Sequence, residues 1–195
     1  MKKIMFILLL LCFWSSSCVA QISSYRSAFN NYLRMQSLFE IKVPLTQQTM
    51  AVTLYRDATF PDKANDPLGS VFETNFLQIT FPVATKSTAN TEHSKQDGDS
   101  VAIFDKKKLP LFIIDKKKFQ FKQLFTSGFV SKDTIRSELQ KNTPLLFTKA
   151  QDIAIILATS GNQSIVIELP PETLQEWQHL LVLDMQMENR KKSLH

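Results

Sequence analysis

Thiols, imidazoles and clustered carboxylates carry most nucleophilic, metal-binding and acid–base chemistry, and this chain has few of the first two. Its only cysteines are Cys12 and Cys18. Beyond them the chain has no thiol nucleophile, cysteine zinc site or disulfide framework. Of its three histidines, His93 lies in a polar stretch and His195 ends the chain, so only His179 falls in a regularly patterned segment. There is no Gly-x-Ser-x-Gly elbow. Glycine occurs only at positions 69, 98, 128 and 161, too sparsely for a phosphate cradle.

Two weaker patterns could hold a metal. Glu176 and His179 form a Glu-x-x-His step, with Glu172 one turn earlier. Such steps bind iron or manganese in helical bundles only when a second step and further carboxylates face them. No second step exists here, so these residues read as the solvated face of a helix. Asp97-Gly98-Asp99 lacks the spaced acidic ligands and closing Glu of a calcium loop. A distant carboxylate pair for glycoside cleavage leaves no local signature. The expectation is therefore a protein that is not an enzyme and uses no cofactor. The alternative is an envelope ligand-binding protein or a hydrolase of cell-wall material.

Lys plus Arg number 23 against 18 Asp plus Glu, a net charge of +5. Six of the lysines sit in a local repeat: Phe104-Asp-Lys-Lys-Lys108 recurs as Ile114-Asp-Lys-Lys-Lys118. Each copy follows an apolar run, and Phe119-Gln-Phe121 follows the second. The pattern predicts a three-stranded meander whose two polar turns lie at opposite ends. Lys106, Lys107, Lys108, Lys116, Lys117 and Lys118 are candidate contacts to an anionic envelope surface, but not as one patch. Nucleic acid is disfavoured as a partner by the modest charge and by the export signal described next.

That signal is the chain's clearest feature. Lys2 and Lys3 precede an unbroken apolar run from Ile4 to Trp14, and three serines follow. This is the plan of a secretory signal peptide over residues 1–20. The run is shorter than the ~20 residues needed to span a bilayer as a helix, so no transmembrane helix is expected in the mature protein. The small residues Cys18 and Ala20, at −3 and −1, favour cleavage between Ala20 and Gln21. The competing route makes Cys18 an acylated first residue, although Ser15 occupies a position that usually carries an aliphatic side chain. The expected location is the periplasm or the exterior, with lipid anchoring to the outer membrane as the alternative. Membrane attachment is expected only with that lipid.

The remaining residues, 21–195, are enough for one α+β domain with an antiparallel sheet. Ile22, Tyr25, Phe29, Tyr32 or Leu33, Gln36 and Phe39 step by three and four, apolar but for Gln36, which predicts an N-terminal amphipathic helix ended by Pro44. Met50, Val52 and Leu54 then alternate as a strand, and a second strand runs from about Val71 to Phe81. Thr85–Ser100 holds no large apolar side chain and predicts a mobile polar loop. Ser131 reads as the N-cap of a short helix through about Lys141, with Ile135 and Leu139 on its apolar face and Asn142-Thr-Pro144 ending it. Ile153–Leu157 and Ile165–Leu169 flank Ser160-Gly-Asn-Gln163 as a hairpin. Pro170-Pro171 opens a C-terminal amphipathic helix with Leu174, Trp177, Leu181 and Met185 inward. With export and no catalytic constellation, the expected role is binding a protein partner, as an accessory subunit of an envelope or secretion assembly.

Overall fold

The computed structural model describes residues 21–27, 31–42, 49–61, 69–81, 104–105, 108–130, 134–159 and 164–192. The signal segment, the Thr85–Ser100 segment and Ser131 lie outside them. Among the described residues, ten strands form two antiparallel sheets. The first sheet has the order β1-β2-β3-β4-β8-β7, and the second β10-β9-β5-β6.

The chain opens with β1 (Gln21–Ser27) and β2 (Tyr32–Lys42), paired antiparallel with Tyr25 opposite Arg34. This overturns the expected N-terminal helix. Leu33, Met35, Ser37 and Phe39 all point inward and are buried, a period of two. The apparent steps of three and four drew residues from both faces: Ile22 and Phe39 from the inner, Tyr25 and Tyr32 from the outer. Ser37 in an inward slot hid the true period. Asn31, at φ 45°, supplies the left-handed residue before β2, a conformation asparagine tolerates well.

β3 (Thr49–Thr59) and β4 (Phe72–Thr80) extend the sheet as the alternation predicts, with Met50, Val52, Leu54, Leu77 and Ile79 fully buried. β8 (Thr134–Leu139) pairs with β4 on one side and β7 (Phe125–Val130) on the other. The helix expected here is therefore a strand. Ile135 and Leu139 suit either periodicity, and Ser137 occupies the inward slot between them, as Ser37 does in β2. Asn142-Thr-Pro144 begins a helix, α2 (Thr143–Lys149), rather than ending one. Proline's fixed φ and missing N–H suit a first turn.

The expected meander is also corrected. β5 (Leu111–Ile114) and β6 (Lys117–Gln120) form a hairpin whose turn residues Asp115 and Lys116 both have positive φ, 48° and 66°. That backbone matches the right-handed twist of a tight hairpin. The Asp115 carboxylate accepts from the backbone N–H of Gln151 (2.7 Å) and Asp152 (3.2 Å). Phe104 does not pair with β5; it bridges to Thr159, just past β9 (Ile153–Ala158), the strand that also pairs with β5. Phe104 and β5 thus lie along the same side of one neighbour. The predicted hairpin of β9 with β10 (Ser164–Glu168) is present.

A single helical turn, α1 (Phe121–Leu124), carries the chain from β6 in the second sheet to β7 in the first. The predicted C-terminal helix divides into α3 (Pro171–Val182) and α4 (Met185–Lys192). Asp184 restarts it by accepting from the N–H of Gln186 and Met187. One hydrophobic core joins both sheets and the helices. Phe112 of the second sheet packs against Phe121, Phe125 and Phe147, and Phe147 packs in turn against Trp177 of α3. None of the described helices is long and apolar enough to cross a membrane.

Candidate functional site

The inner face of the first sheet is covered by α3. Ser37 donates to the Glu176 carboxylate at 3.1 Å, and Arg56 donates to the Leu180 carbonyl at 3.0 Å. Glu176 is therefore turned to the sheet rather than to solvent, while Glu172 and His179 are exposed.

The outer face is different. Register and alternation place Tyr25, Tyr32, Arg34, Leu38, Tyr55, Asp57, Phe72, Phe76, Arg136 and Glu138 together on it. Its centre is a stack of cations and rings. Arg34 lies 5.6 Å from the Tyr32 ring and 4.9 Å from the Tyr55 ring. Arg136 lies 5.2 Å from the same Tyr55 ring and 4.7 Å from Phe76. These separations are within the range of cation–π attraction.

Asp57 sits among them with its side chain 9% exposed. Arg34 donates to it through Nε at 2.8 Å and Nη2 at 2.7 Å, a two-pronged pair. Burial, together with a hydrogen bond to Asp57 and its negative charge, pushes the Tyr32 phenol up to about 12. The same carboxylate raises Arg34 further above the ordinary guanidinium range, against the opposing effect of its burial.

The periphery of the face is apolar and exposed: Tyr25 at 62%, Phe72 at 69% and Leu38 at 38%. An arginine–tyrosine–phenylalanine surface with an exposed aromatic margin has the residue preferences of protein recognition sites, in which these types are enriched.

The residues singled out from sequence lie elsewhere. Cys18, Ala20, Lys106 and Lys107 are outside the described residues, and Gln21 is the first residue of β1. Lys108 is exposed and pairs with Asp105 at 3.8 Å. Lys116 is in the β5–β6 turn, with Lys117 and Lys118 on the exposed edge strand β6. Lys108 precedes the Leu111 end of β5 and Lys116 follows the Ile114 end, so β5 separates them. The outer-face cluster was missed because its members come from four strands. A signal does exist: Tyr32-x-Arg34, Tyr55-x-Asp57 and Arg136-x-Glu138 each place outer-face side chains two apart, the spacing of one strand face. It becomes readable only once β2 and β8 are recognised as strands.

No family model, curated protein or solved structure matches the chain.

Proposed function

We propose that this is an exported, non-catalytic envelope protein that holds a protein partner against the outer face of its six-stranded sheet. One observation carries the reading. The helix contacts made by the described residues reach the inner face, while the outer face presents stacked arginines, tyrosines and phenylalanines. At a strand spacing of ~4.8 Å and a rise of ~3.3 Å per residue, six strands of about eight residues give a face on the order of 700 Å². That approaches the ~800 Å² each partner contributes to a standard specific interface. The export signal and the lack of a catalytic motif support the envelope assignment and the binding role.

The test is site-specific photo-crosslinking in the native envelope. Benzoylphenylalanine at Tyr25 or Phe72 should give the same discrete protein adduct. The same group at Val182, exposed on α3, should give none. Adducts at Val182 alone, or a self-adduct at every site, would refute the reading. A self-adduct confined to the outer face would identify the partner as a second copy and refute a separate one.

A further inference from the structure

The two arginines of the outer face are not equivalent. Arg34 spends its donors on Asp57, which also receives the Tyr32 hydroxyl. The Arg136 guanidinium comes only within 3.9 Å of the same carboxylate, beyond hydrogen-bonding distance, and makes no side-chain hydrogen bond with the described residues. What holds it is stacking, with Tyr55 and Phe76 placed against the guanidinium and the side chain 31% exposed. The N–H donors of a guanidinium lie in its plane, so a carboxylate meets it edge-on whichever face the rings occupy. Edge-on approach is the geometry of two-pronged carboxylate recognition. Aromatic neighbours also exclude water, which strengthens a charge-assisted bond made there.

We propose that Arg136 is the anchor of the binding face, receiving a carboxylate of the partner protein from an Asp or Glu side chain or a chain terminus. The inference rests on the outer face being the binding face, and it adds the chemistry of the partner. Charge supports it. Asp57 is matched by Arg34, which leaves Arg136 in excess within the stack. The one further described carboxylate on this part of the face is Glu138, two residues along β8 and opposite Phe76. Glu138 makes no ion pair with Arg136, but its negative charge opposes an incoming carboxylate. It therefore acts as a brake on the site, and its removal should tighten binding.

The experiment titrates isotope-labelled protein with N-acetyl-L-tyrosine and with N-acetyl-L-tyrosinamide, which differ only in the carboxylate, and follows the arginine Nε–H and backbone amide signals. Wild type should show saturable shifts at Arg136, Tyr55 and Phe76 with the acid, and at least tenfold weaker binding of the amide. Arg136→Gln should abolish the difference between the probes. Arg136→Lys should retain part of it, because the charge stays and the fork goes. Glu138→Gln should tighten the acid about two- to threefold. Equal binding of acid and amide, or acid binding that survives Arg136→Gln, would overturn the anchor while leaving the face itself intact. Absence of acid-dependent shifts on the outer face would also overturn it. Failure of the face is read separately, by the cross-linking above. Should Arg136→Gln fold poorly, Arg136→Lys and Glu138→Gln carry the comparison in folded protein.

Discussion

Asp57 organises the outer face at the scale of single residues. Its carboxylate neutralises Arg34, attracts Arg136 at longer range and accepts the Tyr32 hydroxyl. Removing it leaves two guanidinium groups against the same Tyr55 ring with no counter-charge. A fully exposed pair contributes up to ~1 kcal/mol, and breaking a buried pair costs ~3–5 kcal/mol. Asp57 is nearly buried while Arg34 is a quarter exposed, so Asp57→Ala should cost about 2 kcal/mol. The urea midpoint should fall at constant slope.

Tyr32 gives a pH signature. Its phenol stays neutral to about 12 in the folded protein and ionises near ~10 when unfolded. Between these values the unfolded chain has lost the proton that the folded chain keeps. The stabilisation is therefore complete below pH ~10 and declines as pH rises from there towards ~12. Alkaline titration followed by phenolate absorbance should show one component near pH 12 that is missing in Tyr32→Phe. The stability gap between the two proteins should close over the same range.

At the scale of elements, α3 depends on Trp177. The side chain is fully buried against Phe147, yet its indole Nε1 has no acceptor among the described residues. Two effects oppose each other on substitution. Trp177→Ala leaves a large cavity and should cost ~3–5 kcal/mol. Trp177→Phe loses less volume and also removes a buried donor whose lack of a partner is itself costly. Its net cost should stay within about 1 kcal/mol, and equilibrium unfolding of the two variants separates the terms.

The same element scale explains what could be read from sequence. β3, β9 and β10 were legible because nearly every inward slot is apolar. β4 was legible by its Phe and β-branched content, although Glu73 and Asn75 take inward slots, and Pro170-Pro171 marked α3. β2 and β8 were not, because Ser37 and Ser137 fill inward slots and break the alternation. What remained, such as Ile135 and Leu139 four apart, fits a helix equally well. Long-range pairing with β3 and β4 then decided the conformation. The outer-face cluster inherited that obscurity, since Arg34, Asp57 and Arg136 meet only through strand register.

At the scale of the whole molecule, the proposed export route would decide how freely the proposed binding face meets a partner. Cleavage before Gln21 would begin the mature protein at the first residue of β1 and leave the edge of the first sheet untethered. Acylation of Cys18 would leave only Val19 and Ala20 between lipid and strand. At ~3.3–3.6 Å per extended residue, the sheet edge would then lie within roughly 10 Å of the bilayer, and Tyr25 would stand on the strand nearest to it. The anchored form could bind only partners already at the membrane surface; the free form could bind anywhere in its compartment. Cys18 and Ala20 at −3 and −1, together with Ser15 where lipoproteins usually carry an aliphatic residue, favour the free form. Mass spectrometry of the mature chain should therefore find Gln21 first, and the protein should fractionate with soluble envelope contents. Cys18→Ser should change neither result. A lipid-modified Cys18, with release from the membrane in Cys18→Ser, would reverse the assignment and restrict the partner to the membrane face.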